Sequence, residues 1–149
     1  MPLTLVVISI GAVCLLTVIF SRRARAQQEM EHHSITPEAL HTLLETNKEV
    51  FLFDVRQPLD LLVSYEIIPG AKRIPPKDVL ENPSLIPKDR DSVVYCTCPS
   101  DKTSRAVLGR ALALHFSRIK FLKGGLQAWK AMGYPVEPYN ELIHLDIAT

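Results

Sequence analysis

Ser92-Val93-Val94-Tyr95-Cys96-Thr97-Cys98-Pro99-Ser100-Asp101-Lys102-Thr103-Ser104 divides into an apolar run, a thiol and a polar loop. The β-branched run from Val93 reads as a buried strand that ends at Cys96. From Arg105 to Phe116 the apolar residues recur at helical spacing, so the loop feeds a helix. A thiol at a strand's end, covered by a loop that runs into a helix N-terminus, is well placed to work as a thiolate. Loop N–H groups and the positive end of the helix dipole would both lower its pKa.

Upstream, Thr36-Pro37-Glu38 predicts a helix start: Thr as N-cap, Pro in the first turn, Glu at the dipole's positive end. Val50 to Val55 predicts a second buried strand, closing on Asp54 and then Arg56. A short helix is expected within Pro58 to Tyr65, a turn at Ile67 to Ala71, and a short strand at Lys72 to Ile74. Pro75 to Arg90 reads as a proline-studded connection holding one short helix. Downstream, Ile119 to Leu122 predicts a strand, and Gly124-Gly125 a tight turn into a helix from Leu126 to Met132. Helices alternating with apolar strands predict an α/β layer structure on a mainly parallel sheet. Active sites in such sheets lie outside the carboxyl ends of strands, where both Asp54–Arg56 and Cys96 fall.

The N-terminal end carries a different signal. Leu3 to Phe20 is a continuous apolar to weakly polar run, which as a helix rises roughly 27 Å, enough to cross a hydrocarbon core. Arg22, Arg23 and Arg25 follow it, and no basic residue precedes it. The positive-inside bias then places the rest of the chain in the cytoplasm, behind a single-pass anchor. A cleaved signal peptide is the rival reading, since Ala24-Arg25-Ala26 imitates a cleavage site. The missing N-terminal charge and the arginines before the cut favour the anchor. Gln27 to Ser34 is polar and reads as a tether.

A formal net charge of +1 over 149 residues gives a nucleic-acid partner no electrostatic support. Of the three cysteines, Cys14 lies inside the apolar run, and Cys96 and Cys98 are too close together for an unstrained disulfide. His32, His33, His41, His115 and His144 supply no ligand spacing for a metal. Reduced, cytosolic thiols are the simplest reading.

Several stretches, taken in order, resemble the rhodanese-like domain family. They are Ile35-Thr-Pro-Glu-Ala-Leu40, Phe53-Asp-Val-Arg56, Ile68-Pro-Gly-Ala71, and Ile86-Pro-Lys-Asp89 before Val93-Val-Tyr-Cys96. Leu122-Lys-Gly-Gly-Leu-Gln-Ala-Trp129 and Gly133-Tyr-Pro-Val-Glu137 complete the series. The resulting division is an anchor with its basic flank (1–26), a linker (27–34), a rhodanese-like domain (35–138) and a tail (139–149).

The resemblance implies a sulfurtransferase whose cysteine carries a persulfide between a donor, such as thiosulfate or a protein persulfide, and a thiophilic acceptor. The transferable sulfur rides on the protein, so neither cofactor nor metal is implied. Counting from the strand picks Cys96 as nucleophile; counting back from Ser104 picks Cys98, which otherwise would be a resolving thiol. We favour Cys96 on strand spacing. Thr97, Pro99, Ser100, Asp101, Lys102, Thr103 and Ser104 form the active-site loop, and Asp54 and Arg56 are expected behind it, organising neighbouring loops. Two departures stand out. Many members carry a loop arginine just before the serine, where this chain has Thr103, and a Gly-His where it has Glu66-Ile67. Counted from Cys96 to Ser104 the loop is longer than the common pattern. The absent arginine weighs against phosphatase chemistry and leaves a second reading, a non-catalytic binding or sensing module. The bland reading of Cys96 is a packed core thiol. Trp129 is expected to be a packing anchor and His115 a cap residue.

Overall fold

The computed structural model describes residues 2–46, 49–97 and 101–140. Helix α1 (Pro2–His32) is one compact unit and the chain from His33 onward is another. The side chains described along α1 are almost all exposed, and Val7–His32 has a stretch of mean hydropathy 1.7 with none of it buried. That makes it one helix long and apolar enough to cross a membrane. The helix runs through Gln27 to His32, where composition predicts a tether. The physical reason is propensity: Ala24, Arg25, Ala26, Gln27, Gln28, Glu29 and Met30 are all strong helix formers, and polarity does not stop a helix.

The second unit is built on a parallel sheet. Its elements run β1 (Ser34–Ile35), α2 (Pro37–Glu45), β2 (Phe51–Asp54), α3 (Pro58–Val63), β3 (Glu66–Ile67), β4 (Lys72–Arg73) and α4 (Pro76–Glu81). A 3₁₀ turn (Pro83–Leu85) leads to β5 (Ser92–Tyr95), α5 (Lys102–Ala113), β6 (Ile119–Leu122), α6 (Gly125–Ala131) and β7 (Glu137–Pro138). The sheet order is β1-β6-β5-β2-β4 with every pair parallel, and β3 and β7 form a separate antiparallel pair. β5 is central and buried along its whole length, as a parallel strand covered on both faces must be. Val94 pairs with Phe53 on one side and Phe121 on the other.

Chain order sets the position of the site. From β2 the chain moves outward to β4, then crosses back past β2 to β5 and continues the other way to β6. The strand order therefore reverses between β2 and β5, and the carboxyl ends of those two strands flank the crevice where α/β folds place ligands. Asp54 ends one strand, and Cys96 follows the other directly.

Helix boundaries differ from expectation at α5. It runs from Lys102 to Ala113, not from Arg105 to Phe116. Asp101 takes a left-handed conformation (φ 52°) and turns the chain into the helix three residues earlier than the apolar pattern shows. Lys102, Thr103 and Ser104 are polar and look like loop; only the burial of Ser104 reveals a helical face there. At the other end His115 is also left-handed (φ 61°), and the Phe116 N–H reaches back to the Ala111 carbonyl at 3.0 Å. That six-to-one bond is a Schellman closure.

The core gathers Ile35, Leu40, Ile68, Tyr95, Leu126 and Trp129, among others, on one face of the sheet. Trp129 is 1% exposed, and its indole N–H donates to the Pro135 carbonyl at 2.8 Å. Its ring meets Tyr134, which in turn stacks on His41 at 4.1 Å. The anchoring role read from the sequence is what the packing displays.

Candidate active site

Cys96 is fully buried at the carboxyl end of β5. Its carbonyl accepts a hydrogen bond from the Leu126 N–H at 3.0 Å, in the first turn of α6. That contact requires glycine at position 125. A Cβ built there would lie 1.9 Å from the Cys96 carbonyl oxygen, and Gly125 also holds φ at +54°. Both the close approach and the left-handed backbone exclude a side chain. The sequence shows the doublet Gly124-Gly125 as a turn; the approach to the thiol's own backbone is the second half of its purpose.

The other end of the loop is tied to the same turn. Asp101 is 6% exposed, and its Oδ2 accepts from the Gly124 N–H at 2.9 Å. Its side chain does not cap α5. Burial raises the Asp101 pKa, with the Gly124 bond and the Arg105 charge opposing that rise. Among the described residues, Asp101 Oδ1 and Ser104 Oγ are buried without a hydrogen-bond partner. Lys102 is exposed, Thr103 half-buried, and the Arg105 guanidinium lies 4.7 Å from the centre of the Phe121 ring. Cys98, Pro99 and Ser100 lie outside the described residues. Five residues, 97–101, separate Cys96 from α5. This is shorter than the count to Ser104 implies, because the helix begins at Lys102.

Asp54 and Arg56 are both fully buried and face each other. The Arg56 Nε lies 2.9 and 2.8 Å from the two carboxylate oxygens, and a second guanidinium nitrogen reaches Oδ2 at 2.5 Å. The remaining donors bond the carbonyls of Ser64 (2.7 Å) and Glu66 (2.8 Å). One guanidinium thus fastens the segment from α3 to β3 to the end of β2. Its charge is spent inside the pair, so it adds little positive potential to the crevice. Tyr95 sits between the layers: its hydroxyl accepts from the Ile68 N–H at 3.2 Å, and burial, then the Asp54 charge, raise its pKa.

A cavity of about 710 Å³ opens beside these residues. Asp60, Val63, Ser64, Thr97, Leu126 and Lys130 are among those lining it. Thr97 is the residue after Cys96, Leu126 holds the Cys96 carbonyl, and Ser64 is held by Arg56. The crevice, the loop and the buried ion pair are therefore one assembly. Nothing in the sequence pointed to this cavity, because α3 and α6 are far apart in the chain and meet only in the folded domain. Lys130 is also paired with Glu66 of β3.

A buried sulfur at the switch point, a loop clamped to a helix N-terminal turn and an adjoining cavity define an α/β fold with a cysteine-centred site. The family model for the Rhodanese-like domain matches residues 36–132, and the chain belongs to that family. It is similar to a sulfurtransferase of Allochromatium vinosum, 32% identical over 104 residues that cover 70% of this chain and 94% of the relative. It is also similar to a probable adenylyltransferase/sulfurtransferase, MoeZ, of Mycobacterium tuberculosis, at 30% identity over 112 residues. There the match spans 74% of this chain but only 28% of the larger protein. Among solved structures, the Alr3790 protein from Anabaena sp. matches with TM-score 0.60 and 30% identity, over 70% of this chain and 82% of that one. A rhodanese-related protein from Thermoplasma volcanium matches with TM-score 0.57 and 26% identity, over 70% and 97% of the two chains.

Proposed function

We propose that the protein is a membrane-anchored sulfurtransferase that moves sulfane sulfur through a persulfide on Cys96. The Cys96 thiolate attacks the sulfane sulfur of a donor, of which thiosulfate is the simplest. A new S–S bond forms, the donor's own S–S bond breaks, and its electron pair leaves on sulfite. A thiophilic acceptor then attacks the outer sulfur, and Cys96 departs as thiolate. The anionic persulfide is held by loop N–H groups and the N-terminal end of α5, as an oxyanion is held in acyl transfer. Asp54 and Arg56 act as positioning residues that keep the cavity wall in place. Cys98, two residues along the chain, is the alternative nucleophile or resolving thiol in this reading. Residues 3–20 supply the anchor, with the rhodanese-like domain (35–138) on the cytoplasmic side of Arg22, Arg23 and Arg25. The partner is a small anionic sulfur donor or a protein persulfide.

The observation that carries this reading is Cys96 itself. It is buried at the end of the central strand, with its backbone clamped by Leu126 and Gly125 and the next residue opening onto a cavity. A second reading, a non-catalytic binding module, draws on the absence of a loop arginine and on the buried carboxylate at Asp101. The experiment that separates them uses the full chain in detergent, exposed to thiosulfate or to a low-molecular-weight persulfide and then to cyanide. The expected result is a mass gain of one sulfur atom and thiocyanate release, both lost in Cys96→Ser and retained in Cys98→Ser. Loss only in Cys98→Ser would move the nucleophile. Failure of every donor to load the wild type would leave the binding module.

A further inference from the structure

Cys96 and Asp101 are held by the same turn. The Leu126 N–H binds the Cys96 carbonyl, and the Gly124 N–H binds the Asp101 carboxylate. Two chain steps of about 3.8 Å each between those N–H groups, with the 2.9 and 3.0 Å hydrogen bonds, bound the separation of carboxylate and carbonyl at about 13.5 Å. The carboxylate therefore stands at the far end of a five-residue loop whose near end carries the sulfur.

Among the described residues no ion pair fixes it there, and its Oδ1 is buried without a hydrogen-bond partner. Arg105, whose charge acts on it, lies over the Phe121 ring, and Lys102 is exposed to water. Burial raises the carboxyl's pKa, and the Gly124 N–H and the Arg105 charge oppose that rise. A buried oxygen that only accepts, with a charge that only repels anions, is an unusual neighbour for a sulfur that must receive an anionic donor.

We infer that Asp101 is a specificity-determining residue that selects sulfane-sulfur donors of low negative charge, sulfur carried on an organic group, over the thiosulfate dianion. This deepens the sulfur-transfer reading above and rests on it. Each extra unit of negative charge on a donor about 10 Å from a carboxylate, at an effective dielectric constant of about 20, slows its approach roughly tenfold.

Methanethiosulfonate anion and thiosulfate make the comparison, since they differ chiefly by one charge. In both cases the thiolate's electron pair forms the new S–S bond. The donor's S–S bond breaks, and the pair leaves on methanesulfinate or on sulfite. Single-turnover loading of the full chain at pH 8 is followed by mass spectrometry for wild type and Asp101→Asn. Asparagine keeps an oxygen for the Gly124 N–H and tolerates the left-handed backbone. The expected result is that Asp101→Asn lowers the methanethiosulfonate-to-thiosulfate rate ratio about tenfold, by raising the thiosulfate rate. A ratio that falls less than about threefold, or rises, overturns the inference. Should Asp101→Asn not fold, the wild type decides. Salt raised from ~0.02 to ~0.5 M should lower the same ratio by screening the repulsion, and a flat or rising ratio overturns the inference. A wild type that loads from neither donor removes the sulfur-transfer reading itself, a different result from loading without charge discrimination.

Discussion

Gly125 is the residue on which the site depends most directly. A methyl group there would sit 1.9 Å from the Cys96 carbonyl oxygen, against backbone that cannot yield as a flexible side chain does. Gly125→Ala is therefore expected to destabilise the domain by about 3 kcal/mol or more, measured as a lower urea midpoint. A variant within about 1 kcal/mol of wild type would show that the turn can retreat from Cys96 at little cost. Residue by residue, the sequence was most legible where chemistry coincides with pattern. Cys96 closes an apolar strand, and Asp54 and Arg56 close another. It was least legible where one residue's role depends on a distant backbone, as at Gly125 and at Asp101, whose carboxylate partner lies 23 positions away.

Among the elements, α5 carries the clearest lesson and its own prediction. Its start at Asp101 and its end at His115 are both left-handed turns by residues other than glycine, which apolar periodicity does not register. His115 is exposed and occupies the position where glycine is ordinarily found after a helix. His115→Gly is expected to stabilise the domain by about 1 kcal/mol at pH 8, seen as a higher unfolding midpoint. An unchanged or lowered midpoint would mean that imidazole contacts at the surface outweigh the backbone relief. Strands β2, β4, β5 and β6 were located by sequence to within a residue or so, and β1 was not. The β3–β7 pairing was not, because two-residue strands carry no periodicity and are found only through their partners.

At the scale of the whole molecule, the fold was legible because the motifs occur in order, and order is what an alternating α/β chain preserves. The cavity and the reach of α1 to His32 were not, since both arise from how elements meet or continue. The proposed anchor has a direct test. The full chain expressed in cells is expected in the membrane fraction, resistant to alkaline carbonate, with its N-terminal residues intact. A mature N-terminus at Gln27 would instead identify residues 1–26 as a removed leader. A protease added outside sealed cells is expected to leave the domain untouched, and digestion would reverse the topology.

The clamp between Cys96 and the Gly124-Gly125 turn also has a consequence for sequence drift. Replacing the Cys96 side chain leaves the backbone carbonyl that makes this clamp in place, whereas a side chain at position 125 collides with it. A descendant relieved of sulfur transfer would then be free to lose Cys96 while still obliged to keep Gly125. The glycine thus marks a turn that any relative sharing this clamp must keep, whether or not a thiol stands at the position of Cys96.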